Sequence, residues 1–70
     1  MNVQVDERLL TPSEVGELFG KSVVALAKMR VAGRGPRYVK IGARDIRYRE
    51  SDILAYLDQQ TFEQTAGTGR

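Results

Sequence analysis

The sequence predicts a mainly α domain of three short helices, with a small β-hairpin set between the second and the third. Three observations carry this reading. Helix-start signals recur at Thr11, Ser22 and Ser51, each ahead of apolar residues at helical spacing. Only Gly20 and Lys21 separate the first helix from the cap of the second. Two β-prone runs, Arg37-Tyr38-Val39-Lys40-Ile41 and Ile46-Arg47-Tyr48-Arg49, flank the turn candidates Gly42-Ala43-Arg44-Asp45.

Residues 1–8 show no period, end in Asp6-Glu7-Arg8, and read as a loose arm. In Thr11-Pro12-Ser13-Glu14, Thr11 caps a helix, Pro12 suits its first position and Glu14 closes a capping box. The helix is expected from Pro12 to about Phe19, with Val15, Leu18 and Phe19 on one side and Gly20 as its stop. Gly16 costs helix propensity, which implies close approach by a neighbouring helix. Ser22 caps a second helix from Val23 to Ala32, ended by Gly33. Leu26 and Met29 form its inward pair, with Val23 on the same stripe, while Val24, Ala27, Lys28 and Val31 face outward. Two short helices joined by so tight a turn have the outline of a helix-turn-helix.

Gly33-Arg34-Gly35-Pro36 is a turn cluster that closes the helical half and presents Arg34. In the hairpin, Ile46 and Tyr48 should face one way and Arg47 and Arg49 the other, with Arg44 at the tip. Such a basic hairpin is a wing. Tyr38 and Tyr48 could stack on nucleobases, but in so small a protein they read as core. Ser51 caps a third helix, with Asp52 in its first turn and Ile53, Leu54, Tyr56 and Leu57 as its stripe, reaching about Gln60. Residues 61–70 have little to bury and read as a flexible tail, which leaves 9–60 as the folded domain.

Seventy residues suffice for one domain, and a domain of that size buries only about 60% of the surface its unfolded chain exposes. With no cysteine and no histidine, disulfides and the common zinc sites are excluded, and no cofactor is expected. The first residues lack the basic start and long apolar run of a secretory signal, and no stretch is long enough for a membrane span, so the cytoplasm is the expected location. The formal net charge is only +2, yet eight of the eleven basic residues lie between Lys28 and Arg49 with Asp45 as the sole acid there. That stretch carries +7 and the remainder −5. A basic region with acidic flanks suits one face to a polyanion.

Catalytic groups are lacking. Glu14, Glu17, Asp52, Asp58 and Glu63 are each explained by a helix start or an exposed helix face, and Asp45 by a turn. Ser22 and Ser51 have no histidine to activate them and read as caps. Gly33-Arg34-Gly35 is followed by Pro36, which removes a backbone donor that a phosphate cradle would use. No enzyme is expected, and no small-molecule effector.

Three stretches together, Leu10 to Ser22, Gly33 to Gly42 and Ile46 to Leu57, resemble the compact MerR-like winged helix-turn-helix of AlpA-type regulators and of phage or integrative-element excisionases. The resemblance covers about residues 9–58. It implies a winged helix-turn-helix of excisionase-like type that binds double-stranded DNA, with the helix opening at Ser22 in the major groove and the Arg37–Arg49 hairpin as the wing. The candidate contacts on the recognition helix are Ser22, Val23, Val24, Ala27, Lys28 and Arg30. Those on the turn and wing are Arg34, Arg37, Lys40, Arg44, Arg47 and Arg49, with Arg44 and Arg47 foremost for the minor groove. Lys28 is placed for a base edge or a nearby phosphate, and Arg30 for phosphate. Members of the family commonly carry tyrosine where this chain has Ala27 and tryptophan where it has Met29. That departure shifts specificity toward the wing and toward DNA shape.

Family members either act as recombination directionality factors, which bind adjacent sites, bend DNA and assist a separate integrase, or regulate promoters. The fold does not choose between these roles. Cooperative self-association on adjacent sites and an integrase are the partners expected of the first. An adaptor whose basic face meets an acidic protein is the reading from a different class.

Overall fold

A computed structural model of the chain describes residues 8–62. The element order is β1 (Leu9–Leu10), α1 (Pro12–Phe19), α2 (Val23–Val31), β2 (Val39–Gly42), β3 (Asp45–Arg49) and α3 (Glu50–Gln59). The strands form one antiparallel sheet in the order β1-β3-β2. This is a winged helix-turn-helix: three helices, with β2 and β3 as the wing. The expected N-terminal arm, apart from Arg8, and the expected tail beyond Phe62 lie outside the described residues.

The local signals at α1 are all used. Thr11 N–H donates to Glu14 Oε1 (2.9 Å) and Glu14 N–H donates to Thr11 Oγ1 (3.1 Å), closing the capping box, with Pro12 at the first helical position. Gly20 ends the helix in the left-handed conformation at φ 69°, where a side chain would be strained. Gly16 sits under the turn: a Cβ there would lie 2.5 Å from the Lys21 carbonyl oxygen and 3.7 Å from the Leu26 side chain. The close approach expected at Gly16 is thus made chiefly by turn backbone, with α2 behind it. At α2, Ala25 N–H donates to Ser22 Oγ (3.0 Å), so Ser22 is the cap.

One buried side chain from each of five elements makes the core: Leu10, Val15, Leu26, Tyr48 and Ile53, with Phe19, Met29 and Ile46 packed against them. Four expected core residues are outside it. Leu18, Val23, Leu54 and Leu57 are exposed, because a core this small leaves only one edge of each short helix covered. Tyr48 is buried as expected, whereas Tyr38 is 43% exposed and caps the cluster at its rim.

Two features of the sheet depart from the sequence expectation. Leu9–Leu10 form a strand, pairing Leu9 with Arg49 and Leu10 with Tyr48, so the hairpin is extended to three strands. In addition, α3 starts at Glu50 with Arg49 as its N-cap, ahead of the expected Ser51 cap. The reason lies in the sheet. Glu50 N–H donates to the Arg8 carbonyl (2.9 Å), so the incoming chain beside β3 satisfies a helix-start donor that a side chain would otherwise take.

Candidate nucleic-acid interface

The outward face of α2 is set by its inward one. Leu26 is fully buried and Met29 packs on the core, which turns Val24, Ala27, Lys28 and Val31 away from it at the spacing of one helix face. Val24 and Val31 are 63% and 89% exposed. These side chains line a shallow, almost wholly apolar depression with Ala32.

The wing leans beside this face. Cross-strand pairing places Lys40 opposite Ile46 and Val39 opposite Arg47, so Lys40 shares the α2-facing side with Ile46 and Tyr48, while Arg47 and Arg49 point to the other side. A groove of about 370 Å³ runs between helix and wing, lined by Ala27, Arg30, Val31, Tyr38, Lys40 and Arg44 among others.

Arg30 ties the two walls of that groove together. Its Nη1 donates to the Tyr48 hydroxyl at 2.7 Å, and its guanidinium carbon lies 5.6 Å from the centre of the Tyr38 ring. The two tyrosine rings are 6.4 Å apart at 58°, a tilted aromatic pair. The charge expected to meet phosphate is therefore engaged within the fold, and it couples α2 to the sheet.

Acids divide the remaining cations. Arg47 pairs with Asp45, Arg49 with Asp52 and Arg8 with Glu14. Among the described residues, no carboxylate pairs with Lys28, Arg34, Arg37, Lys40 or Arg44. Lys28 stands on the outward face of α2, Lys40 and Arg44 on the wing's inner side and tip, and Arg34 and Arg37 at the corner between. The structure thus gathers five of the expected cations and Val24, Ala27 and Ser22 around α2, and it sets Arg47 and Arg49 on a separate surface. Val23 is exposed in the first turn of α2 rather than on its inward stripe.

One further cation stands apart from the helix–wing groove. Lys21, just ahead of the Ser22 cap, lines a second cleft of about 640 Å³ with Met29, Arg34, Tyr56, Gln59 and Gln60. Among the described residues the carboxyl of Glu14 is held below the usual carboxylate value by the hydrogen bond from the Thr11 backbone, with the Thr11 hydroxyl and Arg8 adding to it against some desolvation. It is a property of the α1 cap, remote in role from the groove.

With this arrangement in view, a family model described as a helix-turn-helix domain matches residues 9–61. The chain belongs to that helix-turn-helix domain family. Among curated proteins and solved structures, none matches it significantly. A helix-turn-helix domain of this kind is a binding module and not an enzyme. Among the described residues, no cluster of three or more potential metal ligands occurs, and no helix is long and apolar enough to cross a membrane.

Proposed function

We propose that this chain binds double-stranded DNA sequence-specifically, with α2 in the major groove and the wing along the neighbouring backbone and minor groove. We further propose that it serves as an excisionase, a recombination directionality factor that occupies adjacent sites, bends the DNA and assists a separate integrase. The observation that carries the DNA reading is a set of cations with no carboxylate partner among the described residues, Lys28, Arg34, Arg37, Lys40 and Arg44, on and beside a capped helix-turn-helix second helix. Backbone phosphates satisfy such a set, and base edges meet the helix face between.

In this arrangement Lys28 reaches a base edge or phosphate, Lys40 and Arg44 hold the wing to the backbone, and Arg34 and Arg37 hold the corner. The capped start of α2 at Ser22 and Val23 adds backbone donors near a phosphate. Arg47 and Arg49 are secondary, since each already holds a carboxylate. Roughly five phosphate contacts imply a salt slope, log K against log salt, of about −4.5. Binding that salt-sensitive is weak for one copy at cellular ionic strength. This supports assembly on neighbouring sites, and with it the excisionase role that the resemblance suggests. The excisionase reading carries with it a cytoplasmic location, where such a protein would meet element DNA.

Selection of bound fragments from genomic DNA, followed by footprinting across a protein titration, tests the reading. A ladder of adjacent protected sites beside an integrase attachment region supports excision. One protected block over a promoter replaces it with an AlpA-like regulator. Failure to enrich any fragment at low salt removes DNA recognition and leaves the protein-adaptor reading.

A further inference from the structure

Hydrogen-bonding side chains dominate direct readout of base pairs, yet the outward face of α2 offers almost none. Between Val24 and Val31 that face carries Val24, Ala27 and Val31 with Lys28 as its single polar side chain, and no asparagine, glutamine, arginine or acid. Two of the three apolar groups are well exposed, Val31 at 89%. These apolar groups are contiguous and line one shallow depression rather than lying scattered.

The surroundings identify the occupant. Ala27 and Val31 line both the apolar depression and the helix–wing groove, where Lys40 and Arg44 stand. An apolar strip edged by unpaired cations suits a polyanion that itself presents apolar groups, and the major groove of DNA does so at one place only, the C5 methyl of thymine. The minor groove has no such group. From Val24 to Val31 the helix rises about 10 Å, close to three base-pair steps at about 3.4 Å each.

We propose that α2 reads its site chiefly by contact of Val24, Ala27 and Val31 with thymine methyl groups within about three or four consecutive base pairs, Lys28 supplying the one polar contact. The inference rests on the DNA-binding role proposed above. It returns to α2 a share of the specificity that the sequence expectation shifted toward the wing and DNA shape. With the small Ala27 between two valines, the strip is low enough for methyl groups to seat against it.

The test uses the full chain and a duplex selected from a random library, with each thymine of the footprint replaced in turn by deoxyuridine. That change removes a methyl and leaves every hydrogen-bonding group in place. Fluorescence anisotropy is expected to show about a fourfold loss of affinity for each contacted methyl, the equivalent of about 0.8 kcal/mol per buried carbon. Val24→Ser and Val31→Ser remove both γ-methyl groups at exposed positions and are expected to reduce the thymine-to-uracil discrimination, with thermal melting nearly unchanged. Equal affinity for thymine and uracil duplexes overturns the proposal while leaving DNA binding intact. So does discrimination that survives both serine variants. Self-association in solution that either variant abolishes assigns the patch to a second copy instead. Absence of binding to any duplex overturns the DNA role and this inference together.

Discussion

Arg30 gives the sharpest separation between a residue that holds the site and one that touches its ligand. Arg30→Met keeps most of the aliphatic packing but removes the 2.7 Å bond to the Tyr48 hydroxyl and the contact with the Tyr38 ring. Tyr48 is 1% exposed, so the variant leaves a buried hydroxyl without its partner among the described residues. A hydrogen bond to a charged group is worth about 1.5–3 kcal/mol, and the cation–π contact adds about 0.5–1 kcal/mol at a half-open site. A destabilisation of about 2–4 kcal/mol is expected from urea unfolding with unchanged m value. Tyr48→Phe is expected to cost less, about 1 kcal/mol, because the freed Arg30 is only part-buried and turns toward water.

The double variant decides the matter. If the two groups act as one bridge, Arg30→Met/Tyr48→Phe falls short of the summed single losses by about 1 kcal/mol, well outside the 0.3–0.5 kcal/mol within which independent sites add. A second readout comes from DNA. A phosphate ligand lost from the interface lowers the salt slope by about 1, whereas a bridge lost from the fold leaves the slope of the remaining folded protein unchanged. Additive single losses together with a reduced slope would refute the coupling and restore Arg30 to the backbone contacts.

Three further outcomes are expected. Gly16→Ala should destabilise the domain by about 1–3 kcal/mol despite alanine's better helix propensity, because its Cβ would stand 2.5 Å from the Lys21 carbonyl; a thermal melt equal to or above that of the unchanged chain removes the argument. Glu14 has its native pKa depressed from 4.5, so its ionised form stabilises the fold above that pH and the contribution disappears as pH falls through the lower native value; the melting-temperature gap between the protein and Glu14→Gln should therefore close below pH 4.5 and stay constant above it. Arg44→Ala should weaken binding to cognate and random duplexes alike, and by more than Arg47→Ala, since Arg47 already holds Asp45; the reverse order, measured by anisotropy at one salt concentration, places the ligand on the other side of the wing.

Much of the fold was legible because its decisive signals are local. Thr11, Pro12, Glu14 and Gly20 specify α1 within one short stretch of chain, and Ser22 specifies the start of α2. What escaped depends on neighbours distant in sequence. Leu9–Leu10 is too short to alternate and becomes a strand only because β3 offers it an edge. Arg49 displaces Ser51 as cap only because the Arg8 carbonyl is at hand for Glu50. Leu18, Leu54 and Leu57 match a helical stripe, but periodicity says which residues share a side and nothing about how wide the covering core is. At the candidate site the same division holds. The cations were countable in the sequence, while their division into paired and unpaired ones follows from strand register and corner geometry.

That division is how a chain of net charge +2 can present a strongly basic face. Asp45 and Asp52 are spent on Arg47 and Arg49, on the side of the sheet turned away from α2, and Glu14 on Arg8 at the first cap. Exposed pairs of this kind add little to stability. Their larger effect is on the field: they cancel cations that lie off the helix–wing groove and leave Lys28, Lys40 and Arg44 uncancelled beside it. At physiological salt the Debye length is about 8 Å, so a ligand approaching the groove meets the local unpaired charges rather than the small net charge of the whole chain. Recognition then divides by range. In the proposed complex the unpaired cations would draw and orient the duplex, and the apolar strip of α2, too short-ranged to steer anything, would act only once the major groove is seated on it.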